Sequence, residues 1–186
     1  MPRSLKITPE AKRSSPAVMG HLVSKLGLQD FYGAFSEACV SLYGANQITA
    51  FYIQGGQARN ILAHRPAGQE LVELLCNKYS RLYVSRDQII GHNLRAAEVF
   101  STHTLNNNQI YDLPYKNDLF LDAGLSSKIS LLSRCDIGYL YINLYFNDDH
   151  SREADSVLLE LENDGPLLSA VLHKHECLSG GSSFTQ

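Results

Sequence analysis

From Tyr139 to Phe146 the chain alternates without a break. Successive side chains of an extended strand point to opposite faces, so Tyr139, Tyr141, Asn143 and Tyr145 share one face, and Leu140, Ile142, Leu144 and Phe146 share the other. The run from Ser127 to Ser133 also has strand length, and Arg134 to Gly138 supplies turn residues, so the two segments are expected to form a β-hairpin. Its aliphatic face suits a seal against helices. The opposite face, with three phenols and an amide, must meet either water or a cavity, and that choice bears on function.

Upstream, Ser15-Pro16 reads as a helix start, with Val18, Leu22 and Leu26 as its apolar side and Gly27 as its end. Asp30 is expected to cap a second helix whose stripe of Phe31, Phe35, Cys39 and Leu42 stops at Gly44; core packing explains such a stripe better than a cofactor contact does. Ile48 to Gln54 and Gln57 to His64, joined by Gly55-Gly56, predict a second hairpin. Pro66 opens a third helix with Leu71, Leu74, Leu75, Tyr79 and Leu82 on its buried side. The pattern weakens from Tyr83 to Asp112, where only Leu94 to Phe100 suggests a helical turn or two. A long loop, functional or mobile, is expected there. Asp112 and Pro114 start a short helix over Tyr115 to Asp122 that Gly124 closes. After the acidic turn Asn147-Asp148-Asp149, a helix from Ser151 to Asn163 is expected to stop at Gly165-Pro166, and a second one runs on to about His175.

The 186 residues carry 44% hydrophobic and 19% charged side chains. That composition suits one globular domain burying about 70% of its unfolded surface. A net charge of -3, without a Lys/Arg cluster beyond Lys12-Arg13, argues against a nucleic-acid surface on this chain. No apolar run approaches membrane-span length and no signal-peptide core is evident, so a cytoplasmic protein is expected. Cys39, Cys76, Cys135 and Cys177 form no CxxC pair, and they read as ordinary reduced thiols. His173 and His175 are two apart and cannot share an ion on a helix. No metal or cofactor is therefore expected. The chain lacks GxSxG, HExxH and the phosphate-loop signature, and Asp148-Asp149-His150 reads as a cap, so no enzyme is expected.

Two hairpins separated by a helical crossover, with helices left over at both ends, build an α+β domain with one antiparallel sheet. Tyr115-Lys116-Asn117-Asp118-Leu119-Phe120, Ala123-Gly124-Leu125, Lys128-Ile129-Ser130 and Leu140-Tyr141-Ile142-Asn143-Leu144-Tyr145 together resemble the N-terminal GAF-like sensory domain of bacterial LuxR-type helix-turn-helix transcriptional regulators. The resemblance spans roughly Ala17 to His175, and PAS-type domains share the plan. Lys116 stands where the family often has Arg, and no helix-turn-helix segment is present. Residues 1–15, polar with Pro2 and Pro9, read as a flexible lead-in, and the tail with Ser179-Gly180-Gly181-Ser182-Ser183 reads as a flexible linker or an ordinary frayed end; the resemblance implies a GAF/PAS-like sensory domain over 16–176 with its terminal helices packed on one sheet face, and a linker over 177–186 toward an absent DNA-binding domain. It also implies a small-molecule pocket on the phenolic face, lined by Tyr139, Tyr141, Asn143 and Tyr145, with Tyr52, Tyr111, Tyr115, Lys128 and Ser130 completing it. A homodimer through the terminal helices would use Val18, Leu22, Leu167 and Val171. The competing reading is a ligand-free interaction and dimerisation module on the same fold.

Overall fold

A computed structural model describes residues 15–93, 98–147 and 154–180. The lead-in, most of the stretch around Leu94, the acidic turn with the start of the helix after it, and the end of the C-terminal linker lie outside the described residues. The elements are α1 (Ser15–Ser24), α2 (Phe31–Tyr43), β1 (Gln47–Gln54), β2 (Gln57–His64), α3 (Gln69–Lys78), α4 (Gln88–Asn93), β3 (Phe100–Asn106), α5 (Leu113–Lys116), β4 (Ser127–Cys135), β5 (Gly138–Phe146) and α6 (Ala154–Leu178). Both α3 and α5 run on into wider i→i+5 turns, over Tyr79–Tyr83 and Asn117–Leu121.

The five strands form one antiparallel sheet in the order β2-β1-β5-β4-β3. The two hairpins meet along β1 and β5, where Ala50 pairs with Ile142 and Phe51 with Tyr141. In the β1–β2 turn, Gly55 and Gly56 have φ of 56° and 78°, the positive pair that a two-residue hairpin turn requires. A bulge interrupts β1–β2 beside Ala50. There the Asn60 side-chain amide donates to the carbonyls of Ala50 and Leu62 at 3.1 and 2.9 Å, replacing ladder bonds that the bulge displaces.

Each face of the sheet carries its own apolar core. Ile48, Ala50 and Tyr52 of β1 with Leu140, Ile142, Leu144 and Phe146 of β5 pack beneath α1, α2 and α6. Phe51, Ile53, Tyr141 and Tyr145 pack beneath α3, α4, α5 and their extensions. This is an α+β layout of the GAF/PAS kind, with the terminal helices on one face.

Several expectations need correction. β3 replaces part of the expected long loop: its sequence, FSTHTLN, has few apolar residues because it is an edge strand with only Leu105 buried. The buried side of α3 is Val72, Leu75 and Cys76, continued by Tyr79 and Tyr83, while Leu74 and Leu82 are more than half exposed (54% and 56%). Asp30 makes no side-chain cap and pairs with Lys25 instead. The final helix does not break at Gly165-Pro166 but runs from Ala154 to Leu178 with Pro166 inside. Gly165 faces the sheet, where an added Cβ would lie 2.7 Å from Phe100 Cζ and 3.2 Å from Leu131 Cδ2. Packing of α6 on β3 and β4 thus supplies the stability that an interior proline removes. Val18, Leu22 and Val171, expected at a dimer interface, are buried in the protomer's own core; of the four only Leu167 is exposed.

Candidate functional site

The face beneath α3, α4 and α5 holds a buried polar cluster centred on Asp87. Asp87 precedes α4, and its Oδ1 accepts from the amides of Ile89 and Ile90 at 2.9 and 3.4 Å, the usual role of Asp at a helix start. Its Oδ2 accepts from the hydroxyls of Tyr79, Tyr115 and Tyr141 at 3.1, 3.0 and 3.2 Å and from Lys128 Nζ at 3.2 Å. Lys128 is fully buried. Besides Asp87, its ammonium donates to Tyr141 OH at 2.8 Å and Tyr115 OH at 3.1 Å, so three donors have three acceptors. On the next rung of the sheet Ser130 donates to Asn143 Oδ1 at 2.6 Å, and Asn143 donates to Thr49 Oγ1 at 3.4 Å.

The strand register explains why these groups meet. Lys128 and Ser130 pair with Tyr145 and Asn143 across β4–β5, and Asn143 and Tyr141 pair with Thr49 and Phe51 across β1–β5. Paired residues share a face. The charges then organise around the ion pair. Burial opposes ionisation of Asp87, but the Lys128 charge and the hydrogen bonds from Tyr115, Lys128 and the Ile89 amide outweigh it and hold the carboxyl below its ordinary range. Burial pushes Lys128 down, with Asp87 opposing. Burial, reinforced by the Asp87 charge, lifts Tyr79, Tyr115 and Tyr141 well above the usual phenol range, so they remain neutral donors. The site can therefore present a fixed anion, a fixed cation and three phenols in an apolar wall.

Of the residues expected to line a pocket, Tyr115, Lys128, Ser130, Tyr141, Asn143 and Tyr145 are brought together here. Tyr139 shares the face at its partly buried margin. Tyr52 does not belong to it: paired with Leu140, it points under α6, where its hydroxyl meets His173 Nδ1 at 2.7 Å. Period-two counting from Ile48 would have placed it there. Tyr111 is 90% exposed in the connection before α5. Sequence reasoning missed Asp87, and it placed Tyr79 on the buried side of the third helix without linking it to this cluster. Asp87 lies in the stretch without periodicity, and its one local signal is an Asp directly before Gln88-Ile89-Ile90, a cap position.

Little space remains around the cluster. The adjoining cavity, between Thr49, Phe51, Cys76, Tyr79, Leu119 and Tyr145, holds about 10 Å³, room for at most about one water. A larger concavity, about 620 Å³ and lined in part by His21, Glu37 and His64, lies at α1 and α2 on the opposite side. It is an open groove without a comparable set of buried polar groups, so the chemistry is concentrated at Asp87. Cys39 and Cys76 are buried, which pushes each thiol up to about 12 and makes it unreactive. No described helix is long and apolar enough to cross a membrane.

No protein-family model matches the sequence, and no curated protein does. Solved structures share the fold. The chain is similar to the ligand-binding domain of VqsR from Pseudomonas aeruginosa, with a TM-score of 0.66 and 12% identity over 88% of this chain and 96% of that one. It is equally similar to CepR2 of Burkholderia cenocepacia, an N-acylhomoserine lactone dependent LuxR family transcription factor, with a TM-score of 0.66 and 14% identity over 90% and 98% of the two chains. The structural neighbours are thus domains of LuxR-family regulators, and at these identities the likeness establishes the fold.

Proposed function

We propose that this chain is the sensory domain of a LuxR-type transcriptional regulator, non-catalytic and cytoplasmic, and that it receives a small molecule at the Asp87–Lys128 cluster. The observation that carries this reading is a fully buried ion pair ringed by three phenols between the sheet and its crossover helices. Such groups orient a polar head while the apolar wall takes the remainder of the ligand. The likeness to VqsR and CepR2 supports the same assignment. A drug-sized ligand needs a cavity of about 300–1,000 Å³, so binding must move the α3–α5 wall outward and exchange ligand contacts for those among Asp87, Lys128 and the phenols. DNA contact belongs to a separate helix-turn-helix module.

One observation favours a second reading. The groups of the cluster satisfy one another and leave about 10 Å³ free, which suits an interaction and dimerisation module that needs no ligand. Native mass spectrometry beside a denatured sample separates the two. Retained extra mass that is lost in a Tyr141→Ala/Asn143→Ala variant is the result expected of a sensor. An empty chain that also gives no thermal shift across a metabolite library would leave the interaction module as the function.

A further inference from the structure

Away from that cluster, the turn between β4 and β5 meets the last turns of α6. Cys135, Asp136 and His173 each place a potential ligand atom within 4.8 Å of the others. His173 Nε2 lies 3.3 Å from Asp136 Oδ1 and 3.8 Å from the Sγ of Cys177, four residues on along the helix and so on the same side. We propose that Cys135, Asp136, His173 and Cys177 form a binding site for a divalent transition ion of zinc type.

The geometry suits that ion. Zinc bonds of about 2.0–2.1 Å to nitrogen, 2.0–2.2 Å to oxygen and 2.3 Å to sulfur, set tetrahedrally, give edges of about 3.4 Å for N···O and about 3.6 Å for N···S. The two observed separations fall close to these edges. The His173 ring is also oriented for the task. Its Nδ1 meets the buried Tyr52 hydroxyl at 2.7 Å, which leaves Nε2 turned toward the carboxylate and the thiol. Metal-bound histidines commonly hold their second nitrogen in this way. Two thiols, an imidazole and a carboxylate select zinc-like ions over magnesium and calcium, which take oxygen ligands. Asp136 and Cys177 are exposed, so an ion can enter from solvent and these side chains can turn to meet it. On binding, each thiol releases its proton and becomes the thiolate ligand. An ordinary surface ion pair would account for His173 and Asp136, but not for two cysteines from distant parts of the chain beside them. His173 and His175, two apart on the helix, cannot share one ion. The productive helical spacing is His173 with Cys177, and His175 instead stacks on Phe31 with ring centroids 4.0 Å apart.

The test is titration of the reduced, metal-free full chain with Co²⁺ and then Zn²⁺. The expected result is a single equivalent of Co²⁺ in a tetrahedral spectrum with thiolate-to-cobalt charge transfer, displaced by Zn²⁺. Cys135→Ser and Cys177→Ser should each remove about half of the charge-transfer intensity, one thiolate of two. His173→Gln should weaken Zn²⁺ binding, and Tyr52→Phe should weaken it about tenfold or more by freeing the ring, while the remote His21→Gln leaves it unchanged. Cys177 is on the surface, so its serine variant tests the site without disturbing the core. Absence of charge transfer, or equal affinity in the Cys135→Ser/Cys177→Ser double variant, would overturn the proposal.

Discussion

Asp87 and Lys128 are both fully buried at the side chain and 3.2 Å apart, and neither can lose its partner cheaply. Removing one member of a buried pair leaves an uncompensated charge at a cost of about 3–5 kcal/mol. Lys128→Met should therefore lower the urea-unfolding free energy by about that amount. The double variant Asp87→Asn/Lys128→Met should lose far less than the sum of the two single changes. The same pair sets an acid limit. The Asp87 carboxyl sits below its ordinary value of 3.8 in the folded chain, so its contribution is present above that value and is lost as pH falls through the folded one. Urea midpoints measured downward from pH 5 should drop, and should drop less steeply in the double variant. At this scale the sequence displayed part of the cluster. Alternation in β5 exposed the phenolic face, and β4 added Lys128 and Ser130. Asp87 stayed hidden, and Tyr79 was legible only as a buried residue, because both come from helix ends, where strand alternation says nothing about which residue reaches the sheet.

Among the elements, α6 departs most from its local sequence. Gly165-Pro166 reads as a break, and the helix continues because one side of it seals the α1–α2 core and another lies against β3 and β4. At Gly165 the helix lies tight against Phe100 and Leu131. Gly165→Ala, favoured by helix propensity, should nevertheless destabilise by roughly 1–3 kcal/mol through overpacking against Phe100 and Leu131, as read by urea denaturation. The end of the same helix carries a pH response. His175 stacks on Phe31, its Nδ1 accepts the Gly27 amide at 3.1 Å, and burial lowers its pKa below the ordinary 6.5 against the opposing charge of Glu176. An unfolded histidine takes a proton first as the solution acidifies, so this stability is present above about 6.5 and lost as pH falls below it. His64, also held down by burial, contributes in the same direction. His175→Gln should flatten, without abolishing, the decline in thermal midpoint between about pH 7 and 5. β3 escaped the sequence reading for the opposite reason to α6: an edge strand needs few apolar residues, and its pattern is correspondingly weak.

As a whole, the molecule divides its work between two cores. The α1, α2 and α6 side consumes Val18, Leu22 and Val171 internally, so a homodimer through these helices would have to use their outward residues, of which Leu159 and Leu167 on α6 are large and exposed. Leu159→Glu/Leu167→Glu should convert such a dimer to monomer in sedimentation experiments; a dimer unaffected by both charges would place the interface elsewhere. The α3, α4 and α5 side holds the ionised cluster.

The sequence by itself determined the two hairpins, the helices α1, α2, α3 and α5 and which face of β5 is aliphatic, because period-two and period-3.6 patterns are local consequences of backbone geometry. Tertiary structure alone decided the partners. Pairing with β4 made a strand of β3, packing carried α6 across Pro166, and the crossover helices delivered Asp87 to Lys128. Each of these depends on contacts between residues far apart in the chain, whose free energies are set by burial and charge pairing at a distance that no local pattern encodes.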